Sequence, residues 1–321
     1  MRLGFAVKVL GRPELKSHDT RRWQSGPHLR VSLKYLRDIL LYLRQAEIRM
    51  YRFSSDLAPY LTHPDLPQFH SQLEECRAEL AMVGQLARAY DLRLSVHPGQ
   101  FVVLNSTDEE VAAKAAVDLT AHARLLDLMG LGPEAVAVIH GGGGTGGMDA
   151  ARERFVRRFR ELPPGVQQRV VLENDEAVFT VPDILRVHEA TGVKLVFDLL
   201  HFNVNNPACE RPVDALRAVL ATWPPELVPK IHVSSPRTEM QVDERQDPTT
   251  GKKVPAVRAP RWDQHSDFAN PFEIIGLLRE VGEAGLRPFD IMLEAKAKDV
   301  ALLQLRQDFE RFAPELTGVW W

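Results

Sequence analysis

Eight short apolar runs recur along the chain, at Leu3 to Val7, Ile48 to Phe53, Leu92 to His97, Ala135 to His140, Arg169 to Glu173, Lys194 to Asp198, Lys230 to Val233 and Phe289 to Glu294. Each is four to six residues long, too short for a buried helix and suited to a strand covered on both faces. Longer stretches with helical spacing separate them: Leu33 to Ala46, Leu73 to Tyr90, Glu109 to Met129, Ala150 to Arg160, Val181 to Thr191, Pro212 to Ala221 and Pro271 to Ala284. Thr107-Asp108-Glu109-Glu110 spells a helix start, and Gly130 and Gly192 sit where helices stop. Strands that alternate with helices over 321 residues predict one (β/α)8 TIM barrel covering residues 1–321, with a doubly wound sheet as the lesser alternative. The rhythm breaks once, from Ser234 to about Asn270, where Pro, Arg and Asp accumulate after the seventh run. We read that stretch as an extended loop of the active face.

Composition removes several classes of protein. With 45% hydrophobic and 26% charged residues the chain can bury a large core. Two cysteines, Cys76 and Cys209, cannot build a disulfide framework and form no Cys-x-x-Cys pair. The first residues lack a signal-peptide apolar core, and no run reaches membrane-spanning length, so a soluble cytoplasmic protein is expected. A net charge of −3 and a pI near 6.4 argue against a surface that is basic all over, though not against a local groove for nucleic acid.

The third to eighth runs each end in, or just before, a side chain that can bind a divalent ion: His97, His140, Glu173, Asp198, His232 and Glu294. His201 and His265 follow in the loops after the sixth and seventh runs. The C-terminal ends of barrel strands form the active face. Imidazoles and carboxylates gathered there suit zinc or manganese, with no thiol cluster in competition. One strand-end histidine proves little, but six consecutive strand ends make a polymetal rim. His63, His122 and His188 are isolated and are assigned no part in the chemistry. Lys230 lies two residues before His232, so both face the barrel interior if His232 is a ligand. The run Gly141 to Gly147 spells G-x-G-x-x-G, but it follows His140 and lacks a P-loop Lys, so no nucleotide cofactor is expected. It reads either as a flexible loop that admits a phosphate backbone or as a plain mobile connection.

Six ordered segments then carry a resemblance: Val96-His97-Pro98-Gly99-Gln100-Phe101, Leu172-Glu173-Asn174-Asp175-Glu176, Phe197-Asp198-Leu199-Leu200-His201, Lys230-Ile231-His232-Val233-Ser234, His265-Ser266-Asp267 and Leu293-Glu294-Ala295-Lys296. The chain resembles the UV damage endonuclease family, and the first two segments separate it from the related endonuclease IV and sugar isomerase barrels. The resemblance implies a TIM barrel, three manganese ions, and incision of DNA immediately 5′ of a UV photoproduct to leave a 3′-hydroxyl and a 5′-phosphate. It implies that Glu173 bridges two ions, with His97 and His140 on one side and Asp198, His232 and Glu294 on the other, while His201 and His265 hold the third. Glu173, Lys230 and His232 are the implied catalytic residues. Gln100, Phe101 and Phe5 are the implied lesion contacts, and Lys230 is a candidate for carboxylation to a carbamate.

Two positions depart from the family pattern, with Phe5 and Phe101 standing where better-known relatives carry tyrosine. A phenyl ring can still fill an unstacked step, because stacking does not need the hydroxyl. Arg237, Lys252, Lys253, Arg258 and Arg261 in the long loop are candidates for phosphate contacts. The expected partner is double-stranded DNA carrying UV lesions, acted on by a monomer with no membrane association. A sugar isomerase or epimerase, an endonuclease acting at abasic sites, and a damage-binding protein with structural ions are the competing readings.

Overall fold

The structure is a computed structural model that describes the backbone of residues 1–320 and the side chains of residues 1–317. Eight parallel strands close into a barrel: β1 (Leu3–Ala6), β2 (Met50–Phe53), β3 (Arg93–Val96), β4 (Ala137–His140), β5 (Val170–Glu173), β6 (Lys194–Asp198), β7 (Lys230–Val233) and β10 (Asp290–Leu293). Each expected run holds its strand, two of them with the expected bounds and the other six trimmed at one or both ends. The remaining two strands, β8 (Gln241–Gln246) and β9 (Lys253–Arg258), pair antiparallel with each other inside the stretch expected to be a loop. That stretch is therefore partly a hairpin, which the sequence hides because its alternation is mostly between charged residues. The turn chemistry is plain once seen: Asp247 accepts from the backbone of Thr249 and Thr250, and Gly251 adopts a positive φ.

Helices cover the outside of the barrel. The segment Glu109–Leu128 starts on Asp108, whose carboxylate accepts from the backbone of Glu110 and Val111, and Val181–Thr191 starts on a Thr180 capping box and stops at left-handed Gly192. The first helix begins earlier than expected, at Leu29, because His28 caps it. The stretch from Leu73 to Tyr90 splits at Cys76 into Gln72–Glu75 and Arg77–Ala89. Among the described residues no helix is long and apolar enough to cross a membrane.

Strand alternation sorts side chains to two faces. Odd positions of β1 point out to the helices and even positions point in, so Gly4 and Ala6 face the axis and Leu3 and Phe5 join the outer core. A Cβ at Gly4 would lie 2.3 Å from the Met50 carbonyl, which explains glycine there. Inside, the lower barrel holds Val136, Val138, Val171 and Val196 against Trp223, whose indole donates to the Leu195 carbonyl at 2.6 Å.

A charged pair lies in this lower interior. Arg93 and Asp290 are both almost fully buried and meet at 2.9 Å, and Arg93 also donates to the carbonyls of Glu134, Val228 and Pro229. Asp290 further accepts from the backbone and guanidinium of Arg2. Removing one member strands a buried charge, whereas replacing both leaves none. We therefore expect Asp290→Ala to destabilise the fold by about 3–5 kcal/mol. The double variant Arg93→Met with Asp290→Leu should lose clearly less. Urea unfolding of the two variants checks the order, and equal losses would show that the pair is not a coupled unit.

Candidate metal centre

Glu173 ends β5 with no exposed surface, and the expected ligands gather around its two oxygens. Strand register is what brings them together, because His140 lies opposite Glu173 and Asp198 lies opposite His232. His97 Nε2 is 3.1 Å and His140 Nε2 is 3.6 Å from Glu173 Oε2. On the other side, His232 Nδ1 is 2.6 Å from Glu173 Oε1 and 3.2 Å from Glu294 Oε1. His201 Nδ1 is 3.8 Å from Glu173 Oε1.

The Asp-x-x-His spacing has a local cause. Asp198 caps the short helix Leu199–Val204, its Oδ1 accepting from the backbone N–H of His201 at 2.8 Å. The cap turns His201 back over the strand end and leaves Asp198 Oδ2 buried with no hydrogen-bond partner. Asn174 fixes both residues: it exchanges hydrogen bonds with the Asp198 backbone, and its own carbonyl accepts from His201 Nδ1 at 3.0 Å. The Nε2 atom of His201 is thereby aimed at Glu176 Oε2, 3.7 Å away.

His97 gives the clearest sign that the cluster suits a cation. Its Nδ1 lies 3.1 Å from the Pro98 carbonyl oxygen and its Nε2 3.1 Å from Glu173 Oε2, and burial pulls its pKa down to about 4, so near neutral pH the ring has one N–H for two acceptors. Whichever nitrogen carries that hydrogen, the other meets an oxygen as acceptor against acceptor, and a cation shared by Nε2 and Glu173 would let Nδ1 donate to Pro98 and remove the conflict. His232 Nε2 and Asp198 Oδ2 are likewise buried without partners. Four compact groups of ligand atoms, each within 4.8 Å, share these residues: His97, His140 and Glu173; Glu173, Asp198 and His201; Asp198, His232 and Glu294; and His140, Glu176 and His201. The donor set and the orphaned atoms fit divalent ions.

Burial and mutual charge shift the titration of the cluster. Burial, helped by Glu173 and Glu294, raises Asp198 to about 6. Burial opposes a charged His201, yet Asp198, Glu173 and Glu294 outweigh it and raise its pKa to about 9. Glu173 and Glu294 stay well below the usual carboxylate range despite burial, Glu173 through His232 and His140, Glu294 through Arg52 and His232. Ions entering the site must expel the proton of His201, so uptake strengthens as pH rises toward 9.

Other expected residues fare differently. His265 faces the cluster through Nε2, 3.7 Å from Glu294 Oε2, and its Nδ1 meets Ser234 Oγ at 2.6 Å, but it joins none of the compact groups. Glu176, which the sequence reading left without a role, takes the place beside His201. Lys230 points inward as expected, fully buried with Nζ 3.2 Å from Ser95 Oγ. Gln100 and Phe101 stand exposed at the mouth, in a turn closed by Val102 N–H on the Gly99 carbonyl at 2.9 Å. Phe5 does not reach the mouth. It is fully buried against Tyr51, ring centroids 5.4 Å apart, so it cannot contact a lesion. Its odd register on β1 was the available signal.

Arg52 was missed altogether. It is the inward residue at the end of β2, and its guanidinium pairs with Glu294 Oε1, the oxygen that also faces His232. The glycine run is not a loose connection at its start: a Cβ at Gly141 would strike the Phe179 ring, and Gly142 has φ +89° beside Asn105. Of the five candidate phosphate contacts, Arg237, Lys253, Arg258 and Arg261 each have an acidic partner. His122, His188 and His63 do local structural work, with His122 bonded to Asp118 and the Ser55 carbonyl, His188 to the Val193 carbonyl, and His63 to the Asp65 N–H.

Comparison with known proteins gives a consistent picture. The UV DNA damage endonuclease of Bacillus velezensis is 35% identical over 264 residues, covering 81% of this chain and 75% of its own. That of Bacillus cereus strain B4264 is 30% identical over 279 residues, covering 86% and 80%. The crystal structure of SacUVDE superposes with a TM-score of 0.78 at 30% identity, over 97% of this chain and 98% of its own. Endonuclease IV from Thermus thermophilus, at 15% identity and a TM-score of 0.60 over 98% and 100% of the two chains, shares the fold. The family model described as UV-endonuclease UvdE matches residues 27–317, and the chain belongs to that family.

Proposed function

We propose that this protein is a divalent-metal-dependent repair endonuclease that cuts one strand of duplex DNA immediately 5′ of a UV photoproduct, leaving a 3′-hydroxyl and a 5′-phosphate. The observation that carries the metal dependence is the His97 imidazole, whose two ring nitrogens both face acceptors, Glu173 and the Pro98 carbonyl, with orphaned Asp198 Oδ2 and His232 Nε2 nearby. Three ions, read as Mn²⁺, would share His97, His140, Glu173, Asp198, His201, His232, His265 and Glu294, with Glu176 added to the set. Bound there, they supply an activated water, neutralise charge on the phosphodiester, and stabilise the leaving 3′ oxygen.

The chain's own residues prepare for that chemistry. Glu173 and Glu294 remain ionised while buried, so they are ready to ligate without losing a proton. The Pro98 and Asn174 carbonyls offer acceptors to Nδ1 of His97 and His201, which with an ion bound would leave Nε2 of each ring for ligation. Arg52 keeps a positive charge at the mouth beside Glu294, within reach of an anionic backbone. Gln100 and Phe101 occupy the place from which a side chain can enter a weakened base stack, and the cost of unstacking is least at a lesion. The decisive assay is nicking of an end-labelled duplex carrying a defined cyclobutane dimer, with Mn²⁺ and with EDTA. Cutting that persists in EDTA would end the metal reading, and ketose turnover without any nicking would select a sugar isomerase.

Three outcomes are expected. Glu173→Ala should lower nicking by several orders of magnitude while circular dichroism shows the barrel intact, because it removes the carboxylate shared by both halves of the cluster. A folded variant that nicks at the parental rate would refute the bridging role. The double variant Gln100→Ala with Phe101→Ala should keep its metal content but lose most of its preference for damaged over intact duplex, read by competition binding. Undiminished preference would remove these residues from recognition.

The third outcome concerns Lys230. Its amine is sealed in the barrel, with Ser95 Oγ as its hydrogen-bond partner and no carboxylate in contact. Burial, with Arg52 and Arg93 adding to it, pushes its pKa well down, and a neutral amine can add carbon dioxide, forming a C–N bond and releasing a proton to give a carbamate anion. Native mass spectrometry in bicarbonate should show a gain of one carbon dioxide that Lys230→Ala abolishes. An unchanged mass at full metal loading would leave Lys230 as a plain amine.

A further inference from the structure

Six of the eighteen exposed large apolar side chains among the described residues fall between Ser234 and Asn270. One of them, Trp262, stands three residues before His265, a span of at most about 10 Å. The residue is 67% exposed, in a turn closed by Gln264 N–H on the Arg261 carbonyl at 3.0 Å. The C-terminal side of the turn is anchored. Arg237 N–H donates to the Gln264 carbonyl at 2.7 Å, Ser266 N–H donates to the Ser235 carbonyl at 2.9 Å, and Pro236 bridges His265. Trp262 is thus a large exposed apolar side chain on a turn tied to the chain just after β7.

Its position around the ring is the second observation. The loop that carries Trp262 leaves β7, and the loop that carries Phe101, 81% exposed, leaves β3. In the closed strand order β3 and β7 are four strands apart in either direction, so the two loops are rooted on opposite sides of the barrel, with the cluster of candidate ligands at the strand ends between those roots. Phe101 follows His97 by four residues, as Trp262 precedes His265 by three, so each ring is tethered close to a residue that faces the cluster. Two exposed rings flanking a mouth built for phosphodiester chemistry suit a polymer with stacked flat bases that passes across the mouth. A small sugar in a closed pocket would meet neither.

We propose that Trp262 is a second aromatic contact with the DNA, stacking on a base on the far side of the scissile phosphodiester from Phe101, so that the duplex is held from both rims. This contact rests on the endonuclease reading above and adds to it a residue that neither the ligand set nor the Gln100-Phe101 turn includes. Trp262 acts on binding and placement of the strand and not on the reacting atoms. Arg261, exposed beside it, supplies a cation next to the stacked base once its pairing with Asp263 yields to a phosphate.

The test compares the parent, Trp262→Ala and Trp262→Phe, all metal-loaded, in nicking of a dimer-containing duplex, with metal content and thermal stability measured on the same samples. Trp262→Ala should raise KM roughly ten-fold or more and change kcat by less than about two-fold, and Trp262→Phe should restore most of the loss. Metal content should be equal in all three. A Trp262→Ala variant with parental KM overturns the contact and leaves the endonuclease reading standing. Loss of metal from that variant also overturns it, because the ring would then only brace the His265 turn. A parent that neither binds nor cuts DNA overturns the function and this contact together.

Discussion

A carboxylate with no exposed surface at the end of β5 is the constraint from which the rest of the upper barrel follows. Glu173 can stay ionised in that place only if cations or strong donors surround it, since an isolated buried charge costs several kcal/mol. Histidines from β4, β7 and the loops after β3 and β6 close on its two oxygens. Two of these rings have other acceptors to serve, since His97 Nδ1 also faces the Pro98 carbonyl and His201 Nδ1 the Asn174 carbonyl. With Asp198 Oδ2 and His232 Nε2 left without partners, the site has more acceptors than hydrogens, which is the arrangement a divalent ion fits. The strain is confined to the end of the barrel where loops can respond to it.

The lower interior solves the opposite problem. Arg93 and Asp290 form a charge pair, backed by Arg2 and by backbone carbonyls, in which Arg93 Nη2 is the one guanidinium nitrogen left without a hydrogen-bond partner. Between the two ends lie Met50, Ala6 and Met292, with Lys230 and Ser95. The barrel is therefore polar at both ends and filled in the middle. The same inward-facing alternation supplies the floor and the metal rim, and only the length of each strand decides which residue reaches the top.

Strand existence, order and most of the residues that gather around Glu173 were legible in the sequence because each depends on residues adjacent in the chain: a short apolar run, then His or a carboxylate. What was illegible depends on facing. Phe5 sits at a strand end like the ligands, but its odd register sends it to the helix layer, and Gly4 beside it, pressed against the Met50 carbonyl, was the clue. Arg52 escaped for the converse reason. It is inward and at the rim, but a lone arginine in an apolar run carries no metal-ligand signature, and its meaning comes from Glu294, distant in sequence. Glu176 was visible as part of a polar cluster. Its role depends on Asp175 bending the loop by accepting three backbone N–H groups, from Ala177, Val178 and Phe179. The β8–β9 hairpin was hidden because both of its faces carry charge, so period-two hydrophobicity, the usual strand signal, is weak.

A division of labour follows from which atoms the backbone holds. Apart from His265, which stands on a turn, the candidate ligands lie on or within a few residues of barrel strands and are fixed by parallel pairing, by the Asp198 cap and by Asn174, which suits groups that must keep separations of a few ångströms. The aromatic groups at the mouth stand on turns and carry most of their surface into solvent. Ion binding tolerates little displacement, whereas stacking on a base tolerates sliding and tilt, so a rigid strand end serves the first and an anchored turn the second. The same logic weighs the two kinds of position differently: in the proposed contact a phenyl at Phe101 would keep the flat apolar face that stacks, whereas the two oxygens of Glu173 are both engaged, one on each side of the cluster.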